Sequence, residues 1–233
     1  MEMPQSNSLA LSDSQAIHRE LMQAILRSVR DTPLVLKGGT ALYLCYGLNR
    51  FSEDLDFDSP KKLNLINKIQ NVHIPNVTIK GINVKKDTDT VSRYAIHYTI
   101  NDNPDDFLLK VEVSYRTPPS IEQVTVQNNI SVLKPSALIE NKLLAAFDGE
   151  YPRSKARDLF DLHFLAKNYG EVFSEDQMDR LSRFAENPDK LLSTYLPDYM
   201  RDNLVNKAID IETLVLDLHE LSRQQNQKLD LCL

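Results

Sequence analysis

The sequence predicts an α+β fold, a mixed sheet with flanking helices followed by a C-terminal helical bundle. Three observations carry this. Ile17, Leu21, Ile25 and Val29 recur every four residues and give an early helix one core-facing stripe. Between Val77 and Val132 apolar and polar residues alternate in short runs, the period of strands with one buried face. From Pro135 onward the apolar period is helical and stays so. That shift divides the chain into an α+β part, residues 1–134, and a helical part, residues 135–233.

The elements follow in order. Residues 1–11 are polar and expected to be loose. Ser12 or Ser14 caps a helix running to about Arg30, which Asp31-Thr32-Pro33 ends. Leu34-Val35-Leu36 is a short buried strand leading into Gly38-Gly39. A helix follows from Thr40 to about Tyr46, with Gly47 placed to cap its end. A second strand covers roughly Asp54–Phe57, and Pro60 starts a helix through about Gln70. Three strands are expected over Val77–Lys86, Ser92–Ile100 and Phe107–Tyr115, and a shorter one within Val124–Val132. The helical part holds candidates at Ser136–Phe147, Ser154–Tyr169, Glu175–Glu186, a short piece near 189–195, and Asp198–Ala208 leading into Ile211–Gln225.

The chemistry concentrates in Lys37-Gly38-Gly39-Thr40-Ala41-Leu42 and Arg50-Phe51-Ser52-Glu53-Asp54-Leu55-Asp56-Phe57. Glycines at a helix start leave backbone N–H groups open to an anion. Asp54 and Asp56, two apart on a strand, share one face at roughly 7 Å. Leu55 and Phe57 then point to the core. Two neighbouring carboxylates on an apolar strand repel each other unless a cation lies between them, and an all-oxygen set suits Mg²⁺. A phosphate grip beside a Mg²⁺ grip points to chemistry on a nucleoside triphosphate. The bland reading is a tight turn followed by an acidic surface strand, which leaves the alternation with Leu55 and Phe57 unexplained.

Gly-Gly, a spacer and Asp-x-Asp resemble the fingerprint of polymerase-β-like nucleotidyltransferases. The fuller string is similar to the AbiEii/AbiGii family, many of whose members are toxins of type IV toxin–antitoxin and phage-defence systems. The resemblance spans about residues 34–165. It implies the polymerase-β-like fold, with the helical part completing the active-site cleft. It also implies a third metal ligand on a later strand, where this chain has Glu112 in place of the family's usual aspartate. Asp54, Asp56 and Glu112 would then hold one or two Mg²⁺ ions. Gly38, Gly39, Thr40, Arg50 and Ser52 would hold the NTP. Lys142, in Leu138-Ile139-Glu140-Asn141-Lys142-Leu143, matches a helix lysine that faces phosphates, and Arg157-Asp158 matches the last motif, with arginine where the family has lysine. Asp158 and Asp161 share a helical face. The bland readings are a solvated Lys110/Glu112 face, an ordinary exposed Lys142, and an intrahelical Arg157–Asp161 pair.

The implied reaction transfers a nucleoside monophosphate from an NTP to a hydroxyl of RNA, such as a tRNA 3′ end, or of a protein, and a cognate antitoxin is an implied partner. A nucleotide-binding protein without transfer activity and a transferase for a small antibiotic are the alternatives. A net charge of −6 gives no global field for nucleic acid, so RNA contact falls to local clusters such as Lys80, Lys85, Lys86 and Arg93. Cys45 and Cys232 lack metal-ligand spacing and read as cytosolic thiols. No Walker A run, no Gly-x-Ser-x-Gly and no zinc spacing occurs. The first residues carry no basic and apolar leader pattern and no apolar run spans a membrane, so a cytoplasmic protein is expected.

Overall fold

The computed structural model describes residues 10–230 apart from 102 and 104, and the side chains of 225–230 excepted. The expected loose stretch therefore lies largely outside the described residues, as does Cys232. The chain divides after Leu133 into two compact units.

The first unit contains α1 (Asp13–Val29), β1 (Val35–Lys37), α2 (Gly38–Cys45), β2 (Leu55–Asp58), α3 (Ile66–Gln70), β3 (Val77–Asp87), β4 (Val91–Ile100), β5 (Asp106–Ser114), β6 (Val124–Gln127) and β7 (Ile130–Leu133). Its seven strands form one sheet in the order β3-β4-β5-β2-β1-β7-β6. β2 runs parallel to β5 and antiparallel to β1, and β1 runs parallel to β7, so the sheet is mixed. Leu55, Phe57, Val111 and Val113 lie at 0–1% exposure and share one buried face of the sheet by register.

α1 begins where the serine predicts. Ser12 Oγ accepts from the Gln15 N–H at 3.3 Å, and Gln15 Oε1 accepts from the Ser12 N–H at 3.1 Å. Leu21, Ile25 and Val29 are buried as the stripe requires, and His18 joins them. A carbonyl can only accept, so His18 Nε2–H donates to the Glu53 carbonyl at 2.8 Å, and Nδ1 accepts from the Tyr98 hydroxyl at 2.6 Å. Burial pushes the His18 imidazole below its ordinary value.

His163, in the second unit, is also pushed down by burial, although Asp217 opposes the shift. The unfolded chain therefore binds more protons than the fold as pH falls below about 6.5. Stability is expected to drop between about pH 7.5 and about pH 5.5, by no more than about 1.4 kcal/mol per pH unit for each histidine. Urea midpoints at the two pH values check this, and His18→Gln, which keeps a donor for Glu53, should flatten part of the drop.

Two helix boundaries differ from the sequence expectation. α3 starts at Ile66, not Pro60. The Ser59 N–H continues the ladder to Ser114 O at 3.0 Å, and the Tyr94 hydroxyl donates to the Leu63 carbonyl at 3.1 Å. These partners hold residues 59–65 out of a helix. The expected helix over Asp198–Ala208 is a series of turns after Tyr199. Asp202 accepts from the Leu204 N–H at 3.0 Å, a local bond that competes with the helix.

The second unit holds α4 (Pro135–Leu143), a π-helical turn (Leu144–Asp148), α5 (Ala156–Asn168), α6 (Glu175–Phe184), α7 (Pro188–Tyr199) and α8 (Ile211–Asp230). α8 packs against α5, α6 and α7, burying Leu214 and Leu218 with Leu159, Leu181 and Tyr195. Arg180 of α6 donates to Asp148 at 2.5 and 2.8 Å and to Glu140 at 2.9 Å, so one arginine fixes the π turn to α4. No helix among the described residues is long and apolar enough to cross a membrane.

Candidate active site

β1 delivers the chain to Gly38, whose φ of +71° is left-handed and suits glycine. A Cβ there would lie 3.1 Å from Asp56 Oδ2, so the strand carboxylate points at the start of α2. A Cβ on Gly39 would come within 2.5 Å of Arg50 Nη2 and 3.3 Å of Ser52 Oγ. Arg50 is 2% exposed and also donates to the Phe51 carbonyl at 3.1 Å. Gly39 is thus small because a buried guanidinium supports the turn from behind.

The Thr40 hydroxyl donates to the Asp54 carbonyl and lies 2.7 Å from Ser52 Oγ. At 1% exposure it ties α2 to the acidic segment and is turned away from solvent. Together with His18, which holds the neighbouring Glu53 carbonyl, it fixes the backbone that presents Asp54.

Asp54 immediately precedes β2 and Asp56 lies within it. Leu55 and Phe57 are 0% and 1% exposed, as the alternation requires. β5 lies beside β2 in parallel, with Asp56 opposite Glu112. Glu112 accepts from Arg93 Nε of β4, and Lys110 Nζ stands 3.9 Å from Asp54 Oδ2. Asp58, which continues the parity of Asp54 and Asp56, is 6% exposed and bound by Lys37 Nζ at 2.5 Å. Burial raises the Asp58 carboxyl above its ordinary value, with Lys37 opposing the shift.

As donors, Asp54 and Asp56 suit a hard divalent cation: both are half-exposed carboxylates, and Asp56 lies against the glycine turn that opens α2. Glu112 completes such a set by register, but its carboxylate is engaged by Arg93, and among the described residues no three His, Cys, Asp or Glu side chains converge as a metal site.

In the second unit Lys142 is not the exposed lysine that helical spacing alone suggests. Its side chain is 9% exposed and its Nζ lies 2.8 Å from Asp158 Oδ1 and 2.6 Å from Asp161 Oδ2. The exposed Arg153 adds bonds of 2.7 and 3.2 Å to Asp158. Burial alone would raise the Asp158 carboxyl, but Lys142 and Arg153 hold it below the ordinary value. Arg157 donates to Asp202 at 2.6 Å. Asp198 receives the first α5 amide, that of Ala156, at 2.8 Å and Lys155 Nζ at 2.7 Å.

The structure thus gathers Gly38, Gly39, Thr40, Arg50, Ser52, Asp54, Asp56 and Glu112 in the first unit, and Lys142 with Asp158 in the second, where Arg157 pairs with Asp202. Sequence reasoning missed His18 and the Lys37–Asp58 pair. Period-two parity pointed to Asp58. Nothing local marked His18, which looks like any polar residue beside an apolar stripe.

A family model, described as nucleotidyl transferase AbiEii toxin of type IV toxin–antitoxin systems, matches residues 20–226. Among solved structures, one from H. pylori assigned as a nucleotidyltransferase is 47% identical, with a TM-score of 0.92 over 96% of this chain and 99% of that one. JHP933 from Helicobacter pylori is 48% identical, with a TM-score of 0.92 over 95% of each chain. MenT4, a nucleotidyltransferase toxin of Mycobacterium tuberculosis, shares the fold at 14% identity, with a TM-score of 0.56 over 91% of this chain and 84% of that one. No curated protein matches.

Proposed function

Since the chain belongs to the AbiEii family of nucleotidyltransferase toxins, we propose that it moves a nucleoside monophosphate from an NTP to an acceptor hydroxyl of RNA, with a tRNA 3′ end as the leading candidate. One observation carries the reading: the Asp56 carboxylate abuts Gly38 at the turn that opens α2. An anion grip and a cation grip thereby meet at one point.

The N–H groups of Gly38 and Gly39 bind the triphosphate, aided by the positive end of α2. Arg50 and Ser52 hold that turn in shape, and Thr40 fixes the height of Asp54. Asp54 and Asp56, with Glu112 when it leaves Arg93, hold Mg²⁺. When bound, the ion supplies a lowered pKa at the acceptor hydroxyl and charge stabilisation at the departing pyrophosphate. In the second unit we assign Lys142 and Arg157 to phosphate charge and Asp158 to orienting Lys142. A cytoplasmic location, with NTP and RNA at hand, and control by a cognate antitoxin accompany this reading. A protein acceptor is the alternative destination of the nucleotide.

The test incubates the protein with α-labelled NTPs, Mg²⁺ and total bacterial RNA. Label is expected on RNA and lost with EDTA. Label on protein alone would move the acceptor assignment. Binding of NTP without transfer to RNA, protein or small hydroxyl compounds would replace the transferase by a nucleotide-binding protein, a reading that the Glu112–Arg93 pair favours.

A further inference from the structure

Lys37 and Asp56 are direct partners in the antiparallel β1–β2 register, while Asp58 is opposite Val35. Directly opposed side chains on one face are nearest neighbours, and the position two residues along is the longer diagonal. The nearest same-face position for the Lys37 side chain is therefore Asp56. Its ammonium instead takes the diagonal and binds Asp58 Oδ1 at 2.5 Å. Asp58 is well enclosed, its side chain 9% exposed, whereas Lys37 is 26% exposed. A charge pair strengthens as its surroundings exclude water, so the enclosed carboxylate holds the ammonium along the strand.

We propose that Asp58 is a positioning residue that draws the Lys37 ammonium away from Asp56, so that lysine does not compete with a divalent cation for that carboxylate. The inference rests on the metal-binding reading of Asp54 and Asp56 given above. It gives Asp58 a role distinct from theirs although all three share one strand parity. Asp58 contributes by holding a cation of the protein, and Asp56 by holding a cation from solution.

Asp58→Asn keeps the shape of the side chain and removes its charge. The freed ammonium then finds its full negative partner at the register position, Asp56. The experiment titrates Mn²⁺, without nucleotide, and reads the melting temperature of wild type, Asp58→Asn, and the double variant Lys37→Met/Asp58→Asn. Wild type is expected to be stabilised by Mn²⁺. Asp58→Asn should need about fivefold more Mn²⁺ for half the effect, the upper end of what a half-exposed ion pair imposes. The double variant, with no ammonium to compete, should return to the wild-type midpoint. If Asp58→Asn does not fold, Asp58→Leu, alone and then together with Lys37→Met, makes the same comparison. An unshifted midpoint in Asp58→Asn overturns the inference and leaves the metal reading standing. So does a double variant as weak as the single, which would make Asp58 itself a ligand. No response to Mn²⁺ in wild type overturns both.

Discussion

Lys142→Ala is expected to destabilise the protein by about 3–5 kcal/mol, because it strands carboxylates that are buried around the lysine. Asp161 is 0% and Asp158 is 1% exposed, and both lie within 2.8 Å of Lys142 Nζ. Arg153 still serves Asp158 in the variant, which softens the loss at that carboxylate. Urea unfolding measures it. Lys142→Met combined with Asp161→Leu should recover most of the stability, since an apolar replacement of a buried pair is often neutral or better. A loss below about 1 kcal/mol would show that the cluster is far wetter than its burial implies. The consequence for enzymology is direct. Lost transfer in Lys142→Ala cannot by itself assign Lys142 to phosphate binding, and Lys142→Arg, which keeps the charge, is the sharper probe.

Asp56→Ala should have the opposite profile. Transfer is expected to fall about a thousandfold or more, because metal stabilisation of transition-state charge is worth several kcal/mol. The fold should survive. Asp56 is half-exposed beside Asp54, and its removal relieves repulsion on β2. Single-turnover transfer and melting temperature, measured together, decide. Activity within tenfold of wild type would sink the assignment of Asp56, and a collapsed fold would make it structural.

The contrast between the two sites also marks what a sequence can carry. The Gly38–Phe57 stretch is legible because its chemistry is local: a glycine pair starts a helix, and a period of two puts Asp54 and Asp56 on one face. Glu112 is legible through Leu109, Val111 and Val113, which fix its parity. The site also depends on pairings that leave no local trace. Lys142 meets Asp161 across a helix–helix packing, and no spacing rule distinguishes a lysine caught between aspartates from one in water. Asp202 and Ser59 ended or delayed helices because of partners that periodicity does not see. The placement of β2 between β1 and β5 follows from the sheet as a whole, since parallel neighbours joined by a long crossover have no turn signal to announce them.

That placement also bears on how the protein is made. β1 and β2 are synthesised early, while Glu112, the partner of Asp56 across the ladder, arrives only after β3 and β4. Until β5 emerges from the ribosome, β2 has one bare edge with unpaired N–H and C=O groups. Such an edge invites pairing with another nascent copy. Three of the five residues from Asp54 to Asp58 are aspartates, and a second copy of the same strand would bring like charges face to face. The carboxylates assigned to catalysis in the finished enzyme thus guard the growing chain against itself, and β5 is the strand whose arrival ends that vigil.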